Sequence, residues 1–188
     1  LEELVLGDLG DRVALELDHQ AHAAAVGFVA GPRLAHAHDE AVGVATCHPG
    51  ATVLAHDAAT VAATIDALGR HDIAHVVAHG RFRHDNPLWS TIELGDGPLS
   101  VYELQQLERV PQTIVIATCE SAAVGGRAGA ELQGLSASLL SLGARTVVAA
   151  AGVLPDDVTT RDTMVGMHRD LRAGLGAAES LARARAST

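Results

Sequence analysis

The chain has 188 residues, enough for one sheet covered by helices, and is 48% hydrophobic but only 2% aromatic, so its core must be aliphatic. A formal charge of −10 argues against nucleic acid or an anionic membrane as partner while permitting a basic peptide, and no apolar run approaches the ~20 residues of a membrane span. Two cysteines, Cys47 and Cys119, cannot build a disulfide framework, so a reducing, cytoplasmic setting is the expectation.

Residues 1–30 read as an N-terminal extension or edge segment. Within them residues 12–17 alternate as a strand would, and residues 26–30 form an apolar run closed by Gly31-Pro32. Residues 36–47 suit a short helix with Asp39 and Glu40 near its start, and residues 51–54 a short strand. Residues 57–68 predict a helix capped by Asp57 or Thr60, with Val61, Ile65 and Leu68 at helical spacing and Gly69 as its stop. A β-branched run follows at 73–80. Gly95-Asp96-Gly97-Pro98 is a turn, and Ser100-Val101-Tyr102-Glu103 has the form of a capping box opening a helix to about Leu107.

A second buried strand, 113–119, follows Pro111. The glycine-rich stretch 125–129 lacks the Gly-Lys-Ser/Thr ending of a phosphate loop. Residues 131–142 predict a helix with Leu132, Leu135, Leu139 and Leu142 on one side, stopped by Gly143. Residues 146–151 are another apolar strand, residues 160–171 a helix, and an Ala-rich helix closes the chain. Continuous apolar strands alternating with helices imply an α/β fold whose mainly parallel sheet has helices on both faces. In such sheets ligands bind at the carboxyl ends of strands.

Two strands end on chemically useful residues, His79 in Ala78-His79-Gly80 and Cys119 in Thr118-Cys119-Glu120-Ser121. A thiol attacks a carbonyl as thiolate and needs a base or cation beside it; an imidazole supplies this and can protonate the leaving amine. The N–H groups of Cys119 and Gly80 are candidates to hold the oxyanion. Taken alone, a cysteine after an apolar strand is more often a small core residue and a strand-end histidine a surface group. The pair at equivalent strand ends is what makes catalysis the sharper reading.

Several motifs stand in a recognisable order. Gly31-Pro32-Arg33-Leu34 and Asp39-Glu40-Ala41 are followed by Pro49-Gly50-Ala51-Thr52-Val53-Leu54, then by Ala74-His75-Val76-Val77-Ala78-His79-Gly80. Asp85-Asn86-Pro87-Leu88, Gly97-Pro98-Leu99, Ala117-Thr118-Cys119-Glu120-Ser121-Ala122, Gly129-Ala130-Glu131-Leu132-Gln133-Gly134-Leu135 and Gly143-Ala144-Arg145-Thr146-Val147-Val148-Ala149 complete the series. Over residues 31–185 the chain resembles the CHAT domain, a caspase-like peptidase domain related to separases and often joined to tetratricopeptide repeats.

The resemblance implies a caspase-like three-layer sandwich over residues 31–188 and a dyad of His79 as base and Cys119 as nucleophile, with Gly80 on the oxyanion side and no cofactor. It places Asp156 at the family's acidic position, where a carboxylate recognises a basic P1 side chain. Glu120 and Ser121, flanking the nucleophile, are further candidates to line the pocket. The implied partners are a protein or peptide substrate and a tetratricopeptide-repeat region upstream in the parent chain, with neither nucleic acid nor membrane. The chain departs from the family at Gly152, where a Trp is common, and at Gly129-Ala130-Glu131, where Gly-Asp-Glu is usual. Those departures keep open a catalytically silent binding or scaffold module, regulated by upstream repeats; a non-peptidase hydrolase or transferase using the same thiol is a third reading.

Other residues are read more plainly. His36, His38, Cys47 and His48 are zinc-ligand types, but their spacing matches no strong zinc pattern and eleven histidines make chance pairs common. His75 faces the same side of its strand as His79 and reads as a core-edge histidine. His84 reads as a solvated loop residue, and Arg127 and Arg145 as surface or structural.

Overall fold

A computed structural model describes residues 3–6, 12–16, 26–32, 34–81, 83, 86–120, 128–150 and 154–188. Its strands are β1 (Glu3–Leu6), β2 (Arg12–Glu16), β3 (Val26–Ala30), β4 (Thr52–Ala55), β5 (Ile73–Arg81), β6 (Thr91–Glu93), β7 (Pro98–Ser100), β8 (Thr113–Glu120) and β9 (Thr146–Ala150). Its helices are α1 (Ala37–Ala45), α2 (Val61–Arg70), α3 (Val101–Leu104), α4 (Ala128–Ser141), α5 (Val158–Arg172) and α6 (Ala177–Ser187).

Seven strands form the body of one sheet in the order β1-β2-β9-β8-β5-β3-β4. The five from β9 to β4 run parallel, and the β1–β2 hairpin adds to β9 antiparallel. The short β6–β7 hairpin attaches antiparallel to the end of β5. The architecture is the expected α/β one, and it explains why the central strands β5, β8 and β9 carry no polar alternation: each is packed by apolar groups on both faces.

The two faces bury separate aliphatic cores, joined only through the sheet. Alternate residues Ala74, Val76 and Ala78 of β5 and Ile114 and Ile116 of β8 pack with Leu68, Leu104, Leu135 and Leu139, on the side of α2, α3 and α4. The intervening Val77, Val115, Ala117 and Val148 pack with Ala41, Val44, Met164, Met167 and Leu181, on the side of α1, α5 and α6. With period-2 alternation, residues 75, 77 and 79 of β5 and 115 and 117 of β8 belong to that second face.

Local signals set most element ends. Thr60 caps α2 by accepting the N–H of Ala63, and Ser100 and Glu103 form the expected capping box on α3. Several ends differ from the sequence reading, among them the start of α4, at Ala128 rather than residue 131. Gly69 does not stop α2, which runs on to Arg70, where the His71 N–H donates to Ala67 O; a helix tolerates one interior glycine at a cost of about 1 kcal/mol. The helix after Ser100 stops at Leu104 rather than near Leu107. Gly143, with φ of 104°, takes the left-handed position that ends the turn after α4.

Candidate active site

The two central strands outrun their neighbours. The pairing of β3 with β5 ends at Ala30–Val77, and the described pairing of β9 with β8 ends at Ala149–Ile116. Beyond those points β5 and β8 continue together, Ala78 opposite Thr118, His79 opposite Cys119 and Gly80 opposite Glu120. On its other side this extension of β5 is backed by β6, with Gly80 opposite Ile92 and Arg81 opposite Thr91. His79 and Cys119 are therefore register partners at the ends of neighbouring strands, which stand about 4.8 Å apart.

The chain leaves β3 through a tight passage. The Gly31 N–H donates to Val77 O at 2.7 Å. A Cβ on Gly31 would stand 2.6 Å from the Ala78 Cβ and 2.8 Å from the Glu93 carbonyl oxygen. Glycine is required here by space, and it brings the segment leading into α1 close to the end of β5.

Asp156 reaches that same segment from the opposite direction. It lies between β9 and α5, and its Oδ2 accepts the Ala35 N–H at 2.6 Å while Oδ1 accepts the His36 N–H at 3.0 Å. His36 is the N-cap of α1 and makes no capping bond of its own. The carboxylate thus caps α1 from a distance, satisfying orphan N–H groups and facing the positive end of the helix. Because β9 and β3 lie on either side of β8 and β5, this bridge links the segments flanking the His79–Cys119 pair. Each carboxylate oxygen has a second lone pair, so the bridge leaves acceptor capacity.

The remaining predicted site residues are placed less fully. Gly80 is buried within β5, and Glu120 is the last residue of β8. Ser121, Gly152, His84 and Arg127 lie outside the described residues. Arg145 is exposed at the start of β9. Among the described residues no group of three or more His, Cys, Asp or Glu is arranged to hold a metal ion. None of their helices is long and apolar enough to cross a membrane.

Beneath His79, on the same face of β5, lies a feature the sequence reading did not assemble. His75 Nε2 is 2.8 Å from Glu40 Oε1, His75 Nδ1 is 3.0 Å from His168 Nε2, and His168 Nδ1 is 3.1 Å from His48 Nε2. Glu40 comes from α1, His48 from the turn after it, His75 from β5 and His168 from α5. All are buried, His75 and His168 completely. The contacts run in series, each ring joined to the next through its other nitrogen, and do not converge on one point as metal ligands would. Burial holds His168 well below the usual imidazole range, with His75 and His48 adding to the effect. Burial also lowers His48, followed by the nearby charges of Arg172 and His75. The available signal was His75, four residues before His79 on one strand face, and His168 beside buried Met164 and Met167 on α5.

Residues 9–188 match the family model of the CHAT domain. The chain belongs to the CHAT domain family. The match takes in every described element from β2 to α6, so β2 and β3 are part of the family's domain as well as of its sheet. The fold is the caspase-like α/β sandwich, and the family is one of caspase-like, cysteine-peptidase-related domains. A comparison with curated proteins found no match.

Proposed function

We propose that this CHAT domain is a cysteine endopeptidase that works through an acyl-enzyme. The observation that carries the reading is the register of β5 on β8, which pairs His79 with Cys119 at the projecting carboxyl ends of the two central strands. His79 takes the thiol proton, and the Cys119 sulfur attacks the scissile carbonyl. The C–N bond then breaks as His79 returns the proton to the leaving amine. Water, activated by the same imidazole, hydrolyses the thioester. The backbone N–H groups of Gly80 and Cys119 are assigned to the oxyanion.

Substrate recognition is assigned to Asp156, with Glu120 and Ser121 beside the nucleophile, and the preferred P1 side chain is basic. The net charge of −10 supports a basic peptide. A tetratricopeptide-repeat region upstream in a cytoplasmic parent protein is the proposed regulator.

A second reading has its own observation. Both oxygens of Asp156 already accept backbone N–H groups of Ala35 and His36, at the entry to α1, which suits a carboxylate committed to structure. On that reading the domain is a binding or scaffold module without turnover.

Intact-mass labelling separates the two. An electrophilic peptide with Arg or Lys at P1 is compared with one carrying Asp, on the wild type, Cys119→Ala and Cys47→Ala. Stoichiometric labelling by the basic peptide, lost only in Cys119→Ala, is the expected result. Labelling that survives Cys119→Ala, or none with any peptide, overturns the peptidase reading for this chain.

A further inference from the structure

We propose that Glu40, His75, His168 and His48 form one acid-sensitive latch holding α1 and α5 against β5, which accepts a single proton and opens on the second. Three contacts join the four groups, and each contact holds one proton between two acceptor atoms. With Glu40 as carboxylate, a proton on His75 Nε2 leaves Nδ1 to accept from His168 Nε2. His168 Nδ1 then accepts from His48 Nε2. All three rings are neutral and every contact is satisfied.

One imidazolium is also tolerated. A cationic His75 donates to both Glu40 and His168, and His168 then donates onward to His48. A second imidazolium is not. If neighbouring rings are both cationic, two N–H groups face each other across about 3 Å. If His75 and His48 are both cationic, each donates to His168, which has no nitrogen left for its own proton. With Glu40 as carboxylate, any second proton on the rings therefore breaks a contact among buried groups, where an unpaired polar atom is costly.

From α1, Glu40 touches the chain of rings. From the following turn, Cys47 adjoins His48, and its thiol is directed at Gly43 O and Val165 O. From α5, Arg172 acts on His48 and opposes its protonation. The register partners of His75 are Phe28 on β3 and Val115 on β8, neither ionisable. Along β5, His79 is the next ionisable group on the same face. Asp170 of α5 is paired with Arg183 of α6. The depressed proton affinities of His168 and His48 agree with the count.

The direction of the pH effect follows. In the unfolded chain the three rings each take a proton near pH ~6.5. The folded chain takes one at most, so unfolding binds about two more protons, and acid favours it. Stability is full above about pH 6.5 and is lost as the pH falls toward the depressed folded values. The latch does not depend on thiol chemistry and stands whether or not the domain cleaves peptides.

Two measurements on the intact chain test it. Between about pH 6.5 and 5, the unfolding constant from urea titrations is expected to rise toward a hundredfold per pH unit in the wild type and tenfold in His48→Gln. Imidazole 15N shifts of the folded wild type are expected to show these three rings together gaining no more than one proton over that range. Two or more of the rings becoming cationic while the fold is intact overturns the proposal. So does a His48→Gln slope equal to that of the wild type. Should His48→Gln fail to fold, the 15N titration decides alone.

Discussion

Single residues here are held by partners far away in sequence, and that is where substitutions bite. Glu40 is the terminus of the buried imidazole series, and its partner His75 has no exposure to water. Glu40→Ala strands the His75 Nε2–H in the interior, and urea unfolding should show a loss of about 1–3 kcal/mol. Glu40→Gln keeps an acceptor oxygen in place and should lose less. Sequence reading saw Glu40 as a helix-start acid and His75 as a core-edge histidine, and each description is locally fair. The series stayed hidden because its contacts join positions 35, 93 and 120 apart. No local period encodes such separations. His79 and Cys119 were legible because each ends an apolar run, a property visible within eight or nine residues. Their pairing was an inference from equivalent position, and the register supplies the alignment. At this scale the proposed dyad makes a further prediction. His79→Ala should abolish labelling of Cys119 at neutral pH while restoring part of it at alkaline pH, where the thiol ionises unaided. Labelling unchanged by His79→Ala at neutral pH would show that this imidazole is not the base.

At the scale of elements, the caps were readable and one of the most consequential was not. Thr60 and the Ser100–Glu103 box sit three residues from the groups they satisfy, so the sequence carries them. The α1 cap comes instead from Asp156, a residue singled out for a different role. The N-cap of helix α1 is His36, which makes no side-chain capping bond. Asp156→Ala should therefore destabilise the fold by about 0.5–1 kcal/mol, measured by urea unfolding. Asp156→Asn retains one oxygen and should recover part of that. If Asp156 also reads a basic P1 residue, Asp156→Asn will lose the preference for Arg and Lys peptides out of proportion to its small stability cost. Equal preference in wild type and Asp156→Asn would confine the residue to capping. The short β6–β7 hairpin was seen only as the turn at 95–98, because strands of three residues hold too little pattern to distinguish from loop.

Over the whole molecule, two aliphatic cores share one sheet, and the central strands serve both. This explains why fold class was legible from alternation of apolar runs and helices alone: strands with two covered faces have no polar side to display. The order of those strands was not legible, since runs that are all apolar carry no mark of which of them are neighbours. Close approach constrains the arrangement, as at Gly31, where the chain passes hard against Ala78 and Glu93. Gly31→Ala meets a neighbouring β-carbon and backbone rather than a flexible side-chain tip. A loss of about 1–3 kcal/mol in unfolding free energy is expected. A methyl accommodated there without loss would mean that the passage is looser than drawn.

The β1–β2 hairpin has a consequence for how molecules of this protein meet one another. It occupies the outer flank of β9, a strand of Thr, Val, Val, Ala and Ala with every residue buried. Without residues 1–16 that flank would present a row of unsatisfied amides on an uncharged strand, a template for pairing with a second molecule. The hairpin acts as a built-in stopper. It spends the protein's own chain to keep that strand from recruiting another copy.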